Sequence, residues 1–200
     1  MRAIAGQSTP PDWADSVLHL LLKPEDRDSV SGDLLEEYRE LLRAGCDRPV
    51  ADRWYLRQVA GFVWRAAWWW GGLLAMLSIG RDALDWFNPP ASFYARSLVT
   101  TWVHVALFAG IGFTTVWRGR SLFGAAAVGL AAQMVATGVI FVSTILLIGV
   151  WHDPGTLNAI EQSGGIAEAF SLPLVVLAPA ALLSMLGGAL ASVVRGSAGK

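Results

Sequence analysis

The sequence predicts an all-α integral membrane protein, with a short three-helix segment followed by about four transmembrane helices. Hydrophobic residues make up 54% of the 200 residues and charged residues only 16%, against roughly 25% charged in a typical soluble protein. The charge is also unevenly placed, since 11 of the 16 acidic and eight of the 15 basic residues lie in the first 60. The rest of the chain therefore has the composition of a segment surrounded by lipid.

Residues 1–60 predict three short helices with a small common core. Pro24 can open the second helix and Gly45 can end it. The third helix carries Trp54 toward the membrane. Residues 1–16 lack the apolar core of a signal peptide, so we expect this segment to stay in the cytoplasm.

Four segments approach or exceed the length of about 20 mostly apolar residues that a membrane crossing requires. They cover residues 62–80, 98–117, 121–151 and 170–194. The third is longer than a straight crossing needs, so it must tilt or protrude, and Pro173 and Pro179 should bend the fourth. The predicted organisation is a helical adaptor at 1–60, a four-helix transmembrane domain at 61–195 and a tail at 196–200.

Basic residues predict the orientation in the membrane. They cluster on one side of the spans, at Arg53, Arg57, Arg65, Arg118, Arg120, Arg195 and Lys200. The other side has only Arg81 and Arg96, in a first loop over 81–97, and none in a second loop over 152–169. The positive-inside rule then places both termini in the cytoplasm. The bias of 13 Arg against two Lys, with abundant Ala and Gly, suggests a GC-rich bacterial genome. Together with the apolar spans, it leads us to expect a protein of the bacterial inner membrane.

Several function classes are excluded or disfavoured. The net charge of −1, with basic residues balanced by acids, gives no footprint for nucleic acid. A single cysteine, Cys46, cannot form an internal disulfide or a thiolate metal cluster. The chain has no nucleophile elbow, phosphate-binding loop or dinucleotide fingerprint. We therefore expect no enzyme, no cofactor and no metal site.

His104 and Gln133 are candidate functional residues because polar side chains inside membrane spans are costly. At 1.5 Å per residue in an apolar core of about 30 Å, both fall roughly 18–20 Å from the inner face. They can form a structural bond between two helices. Alternatively, they can form a proton-sensitive site, since histidine titrates near neutral pH.

Small residues at every fourth position predict close helix packing. The fourth span carries such a stripe at Ala180, Ser184, Gly188 and Ser192, and the second at Ala106, Gly110 and Thr114. The stripes can serve packing within this bundle, or contact with a partner protein or a second copy, so a homo-oligomer stays open.

Acidic residues form one face of the second helix, at Asp33, Glu36, Glu37 and Glu40. Arg39 and Arg43 are interleaved with them. These carboxylates could hold a cation only if they converged, whereas along a helix surface they form a solvated or salt-bridged face. The exposed side made by Glu36, Glu37, Glu40 and Arg43 is a candidate docking site for a partner.

Part of the N-terminal segment resembles the permease prefix segment of bacterial ABC-type permeases of the macrolide-exporter class. The likeness rests on Leu20-Leu21-Leu22, Pro24, Arg27, Gly32-Asp33-Leu34, Glu36-Glu37-Tyr38, Arg53-Trp54-Tyr55 and Gln58-Val59. It covers about a fifth of the chain and implies a cytoplasmic adaptor that leads into a transmembrane domain. A permease of that class has a large extracytoplasmic domain after its first span, which the segment 81–97 is too short to supply.

The favoured hypothesis is a non-enzymatic inner-membrane interaction protein, an accessory or regulatory partner of a transport or envelope system. Its partners would be the lipid bilayer and a membrane or cytoplasmic protein. The alternative is a small oligomeric channel or carrier subunit, which requires a water-accessible path past His104 and Gln133.

Overall fold

The structure is a computed structural model that describes residues 9–150, 154–162 and 164–198, and every regular element in these ranges is an α-helix. Trp151, His152 and Lys200, which enter the predictions of span and orientation, lie outside the described residues. The helices are α1 (Asp12–Leu21), α2 (Pro24–Arg43), α3 (Arg48–Phe87), α4 (Tyr94–Trp117), α5 (Leu122–Val150), α6 (Pro154–Gln162), α7 (Gly165–Val175) and α8 (Leu177–Ala198).

The N-terminal helices α1, α2 and the first turns of α3 share a small core. Leu18, Tyr38 and Tyr55 are fully buried in it. Gly45 ends α2 with a φ of 87°, and the amide of Cys46 donates to the carbonyl of Leu41, as in a Schellman cap. The stop that glycine predicts is therefore present.

Helix α3 is one continuous helix of 40 residues, about 60 Å long at 1.5 Å per residue. It passes through the expected boundary at 60/61 without a break. Phe62 and Val63 pack against both the N-terminal core and the core of the following helices. The two parts are thus joined by a stiff helix and a shared apolar contact.

Three helical stretches are long and apolar enough to cross a membrane, namely Tyr94–Trp117, Leu122–Val150 and Gly165–Ser197. The first predicted span, residues 62–80 of α3, is not among them. Arg65 and the run of tryptophans from Trp68 to Trp70 lower its mean hydropathy. The three stretches match the predicted second, third and fourth spans.

The first predicted loop is mostly helix. Helix α3 continues to Phe87 and α4 begins at Tyr94, so only residues 88–93 join them. The expectation of a loop over 81–97 was therefore wrong, because charged residues can sit on a helix that extends past the lipid core. The second predicted loop likewise holds α6 and the start of α7.

The fourth predicted span is interrupted. Helix α7 ends at Val175 and α8 starts at Leu177, with Pro173 in the last turn of one and Pro179 in the first turn of the other. Neither proline has an N–H donor, so a helix that continued through both would lose one hydrogen bond at each. The predicted bend occurs here as a break.

Helices α4 and α8 pack closely through small residues. A methyl group added to Gly112 would overlap the backbone carbonyl of Ser184, and one added to Gly187 would overlap that of Ala109. In the predicted stripe of α8, Ala180, Ser184 and Gly188 are buried, but Ser192 is exposed.

The predicted stripe on α4 is not its packing face. Ala106 is exposed, and a methyl group added to Gly110 would meet nothing within 4 Å. The close contact is made instead by Ala109 and Gly112, which lie on a different face of α4 from the predicted stripe.

Candidate functional site

A cavity of about 320 Å³ lies between α3, α4, α5, α7 and α8, with one residue from α6. This volume is at the lower end of the range of about 300–1,000 Å³ found for small-molecule sites. Much of the wall is apolar, including Phe108, Ile140, Leu172 and Leu183. Polar groups project into it from four helices. Those from α3 and α4 are Ser78, Arg81, Asp82, Asp85, Thr100, Thr101 and His104, and those from α5 and α7 are Gln133 and Glu168.

Helix α3 supplies the polar wall with a regular spacing. Ser78, Arg81, Asp82 and Asp85 stand at positions i, i+3, i+4 and i+7, which lie on one face of an α-helix. The face lies at the end of α3 that is remote from α1 and α2. The four polar side chains of this wall therefore lie in a row along one face of α3, over two successive turns.

Asp85 is the centre of an ion network at this end of the cavity. Its carboxylate is 1% exposed and accepts from Nε of Arg81 and from Nη1 of Arg96, each at 3.1 Å. Arg96 also donates to the carbonyls of Leu84 (2.8 Å) and Asn88 (2.9 Å). Arg96 thus bonds both the buried acid and carbonyls at the C-terminal end of α3, where a helix leaves its last carbonyls without intrahelical partners.

His104 is held on the α4 wall of the cavity by two contacts. Its Nδ1 lies 2.9 Å from the carbonyl of Thr100, and its Nε2 lies 3.3 Å from Oγ of Ser78. A carbonyl only accepts, so Nδ1 carries the proton and donates. In the neutral ring, Nε2 then accepts the hydroxyl of Ser78.

Gln133 is 3% exposed and carries a buried oxygen without a partner. Its Nε2 donates to the carbonyl of Pro173 at 3.1 Å and lies 3.3 Å from Oγ1 of Thr137. Because the carbonyl of Pro173 only accepts, the amide nitrogen must face it. Oε1 is then turned away and has no hydrogen-bond partner within the described residues. A buried acceptor without a donor costs about 1–3 kcal/mol, so this oxygen is an unsatisfied polar group in a residue of the cavity wall.

Two further carboxylates line the cavity without ion pairs. Asp82 is half-buried and Glu168 is exposed, and neither lies within 4.0 Å of a basic side chain in the ranges that the structure describes. The pKa of Asp82 is raised to about 6, and burial is the largest cause. The charge of Arg81 lowers this pKa, and the charge of Asp85 raises it.

The predicted pair of His104 and Gln133 shares one cavity but not a hydrogen bond. The sequence reasoning missed Asp82, Asp85 and Glu168, although the helical spacing on α3 was available as a signal. The helical spacing was missed because Arg81 was taken as the start of a loop.

The predicted docking face lies far along the chain from this cavity, on α2. Glu36, Glu37, Glu40 and Arg43 are all exposed. None of the four lies within 4.0 Å of an opposite charge in the part of the chain that the structure describes. The face is thus a solvated one, and the salt-bridged alternative is not seen.

Within the described ranges, no group of three or more histidine, cysteine or acidic side chains is arranged to hold a metal ion. Comparison of the chain with protein-family models, with curated proteins and with solved structures gave no match.

Proposed function

We propose that this chain is a solute-binding subunit of a bacterial inner-membrane transport system, and that it binds a small molecule in the cavity beside His104 and Gln133. The observation that carries the proposal is the unpartnered Oε1 of Gln133, buried in the wall of a 320 Å³ cavity. A fully apolar bundle centre would leave nothing for a solute to recognise. This cavity instead offers an acceptor, a histidine and free carboxylates on an otherwise apolar wall, which is the usual make-up of a ligand site.

The proposal includes four spans, with residues 62–80 of α3 as the first. Ala67, Leu74 and Ala75 of this stretch pack in the same apolar cluster as Phe108 and Ile111 of α4. A helix so placed beside three membrane-crossing helices has lipid around it as well. Trp64, Trp68 and Trp69 are exposed on it, and tryptophan is favoured at the membrane interface.

Both termini belong on the cytoplasmic side in this proposal. The carbonyl of Leu20 in α1 lies against Gly124 at the start of α5, so the N-terminal helices share one end of the bundle with Arg118 and Arg120. Basic residues favour the cytoplasmic side. The N-terminal helices would then act as an adaptor like the permease prefix, and the cavity would lie toward the opposite side.

Binding rather than catalysis is proposed although Ser78 and His104 stand in a nucleophile–base relationship at 3.3 Å. Ser78 lies inside α3, whose backbone N–H groups are used in helical hydrogen bonds. A serine on a strained turn has free N–H groups for a developing oxyanion, and Ser78 is not on such a turn.

Thiol labelling tests the proposed site. In a Cys46→Ser background, Ser78→Cys places a thiol on the cavity wall and Met134→Cys places one on the exposed side of α5. In native membranes, a small charged methanethiosulfonate should modify the thiol at 78 at least about tenfold faster than the thiol at 134, because reaction requires water and a thiolate. Equal, slow labelling at both positions would mean a dry cavity and would count against the proposal.

Partner docking through α2 is the second candidate function. It is favoured by the exposure of Glu36, Glu37, Glu40 and Arg43 and by the contact of α1 with α5, which links the N-terminal helices to the membrane bundle. Gentle solubilisation of a tagged chain should recover a partner, and Glu36→Lys with Glu37→Lys should release it. Asp28→Lys, elsewhere on α2, is the matched control. Recovery of the chain alone would contradict this candidate.

A further inference from the structure

Four features of the cavity restrict the chemistry of its solute. The first is the orientation of Gln133. Its amide nitrogen is committed to the carbonyl of Pro173, a last-turn carbonyl of α7 that the break before α8 leaves available. Thr137 donates to the same carbonyl at 3.2 Å. This arrangement leaves Oε1 as the acceptor without a partner, so a solute that reaches it would have to offer an N–H or O–H donor.

The second feature is the balance of charge. The carboxylates of Asp82, Asp85 and Glu168 line the cavity with the guanidinium group of Arg81, and Arg96 bonds Asp85 from beside the lining. Three negative and two positive charges leave one negative charge when His104 is neutral. Both arginines bond Asp85, so Asp82 and Glu168 are the carboxylates without a partner. A cation is therefore favoured over an anion, and the preference is strengthened by the low dielectric of the surroundings.

The third feature is the remaining wall. The rings of Trp86 and Phe108 line the cavity with aliphatic side chains. An aromatic face attracts an organic cation by about 0.5–2 kcal/mol, and the aliphatic groups favour an apolar body. Within the described residues no three acidic, histidine or cysteine side chains are arranged to hold a metal ion, and an apolar surface supplies none of the oxygen ligands that a hard cation requires.

The fourth feature concerns His104. Its Nδ1 donates to the carbonyl of Thr100 and its Nε2 accepts from Ser78, so the neutral ring presents no free donor to an anion. Arg81 and Arg96 both donate to Asp85, so an anionic solute would compete with this carboxylate for them, whereas the carboxylates of Asp82 and Glu168 have no ion pair.

We propose that the cavity binds a protonated organic amine with an apolar body, whose N–H groups face the free acceptors of Gln133, Asp82 and Glu168. The inference rests on the proposed solute-binding function and names the class of its solute. It assigns separate roles, since the free carboxylates select the positive charge and Oε1 of Gln133 selects an N–H donor. These roles can be tested separately.

Four compounds with one benzyl-type body separate the two roles. They are benzylammonium, benzyltrimethylammonium, benzyl alcohol and benzoate, titrated calorimetrically into the full-length protein in lipid nanodiscs, with empty nanodiscs as the blank. Benzylammonium should bind at least about tenfold more tightly than each of the others. The trimethyl compound keeps the charge but loses the N–H donors, benzyl alcohol keeps a donor but loses the charge, and benzoate reverses the charge.

Two variants assign the preferences to residues. Asp82→Asn should lower the preference for benzylammonium over benzyl alcohol by at least about fivefold. Gln133→Met, close in size, should instead lower the preference for benzylammonium over benzyltrimethylammonium. Met134→Cys, on the outer side of the same helix, should change neither ratio.

Equal or tighter binding of benzoate or benzyl alcohol would overturn the inference, and so would the absence of benzylammonium binding. The proposed function is judged by the thiol labelling at position 78, which uses no amine solute. Rapid labelling with tight benzoate binding would therefore refute the solute class and leave the solute site in place.

Discussion

Arg96 and Asp85 join α4 to α3 through a hydrogen bond of 3.1 Å between Nη1 and Oδ1. Arg81 donates to the other oxygen of the same carboxylate at 3.1 Å. The carboxylate is almost fully buried, and the side chains of Arg81 and Arg96 are 21% and 28% exposed. One acid thus pairs with two arginines at the point where the chain turns between the two helices.

Asp85→Asn should lower the free energy of unfolding by about 3 kcal/mol, the lower end of the loss seen when one member of a buried ion pair is removed. The reason is that Arg81 and Arg96 would keep their charges without a counter-ion. Thermal unfolding of the solubilised protein, followed by circular dichroism, measures the change. The neighbouring Asp82→Asn is the control and should cost little, because Asp82 has no ion pair. Equal losses in the two variants would contradict the network's role.

Gly112→Ala should destabilise the contact between α4 and α8. Its added methyl group would meet the backbone carbonyl of Ser184, and overpacking of this kind costs about 1–3 kcal/mol. Gly110→Ala, two residues earlier on α4, has open space around the new methyl group. We expect Gly110→Ala to be neutral or slightly stabilising, since alanine favours a helix over glycine by about 1 kcal/mol. A melting temperature lowered equally in both variants would show that the close contact is unimportant.

The all-helical fold and three membrane-crossing helices could be predicted from the sequence, because apolar length and proline or glycine positions act locally. Pro24, Gly45 and the break near Pro173 are examples. Local sequence does not predict which face of each helix packs against its neighbours. Gly110 and Gly112 differ by about 200° around α4 at 100° per residue, and a stripe pattern alone does not say which of them faces α8.

The cavity was only partly predictable for a related reason. His104 and Gln133 stood out as polar residues in apolar segments. Asp82 and Asp85 stood next to Arg81 in what looked like a loop, and only the extension of α3 to Phe87 gives them a common face. Glu168 reaches the cavity because α7 folds against α5, a tertiary contact with no local signal.

Gly124→Ala should loosen the N-terminal helices from the membrane bundle. The carbonyl of Leu20 lies so close to Gly124 that an added methyl group would overlap it, and backbone cannot move aside as a flexible side chain can. Limited proteolysis at the α1–α2 and α2–α3 connections, residues 22–23 and 44–47, should become several-fold faster. Gly138→Ala, with open space on the same helix, should leave the cleavage rate unchanged. An unaltered rate in Gly124→Ala would mean that the contact does not hold the N-terminal helices.

High pH should destabilise the N-terminal core through Tyr55. Burial, the nearby charge of Asp15 and the 3.1 Å hydrogen bond to its Oδ1 raise the pKa of Tyr55 well above its ordinary value of 10.0. The neutral form is therefore favoured in the folded state. Its stabilising contribution is complete below pH 10 and is lost as the pH rises above 10, since the unfolded chain then releases the proton first.

Tyrosinate absorbance measures this directly in the intact protein. Tyr55→Phe should remove the transition with the highest midpoint and flatten the loss of stability above pH 10, at a cost of about 1 kcal/mol for the missing hydrogen bond. Tyr94→Phe, at an exposed tyrosine, is the control and should leave the late transition intact. A single transition at the ordinary midpoint for all tyrosines would contradict the prediction.

Amine binding in the cavity should weaken as the pH falls through about 6. Burial raises the pKa of Asp82 to about 6, and a carboxylate that takes up a proton no longer attracts a cation. The other charged and titratable groups that share the cavity are Arg81, Asp85, His104 and Glu168. Asp82→Asn should therefore bind benzylammonium more weakly at neutral pH and show a flatter dependence on pH. If the variant keeps the full pH dependence, the role of Asp82 is refuted.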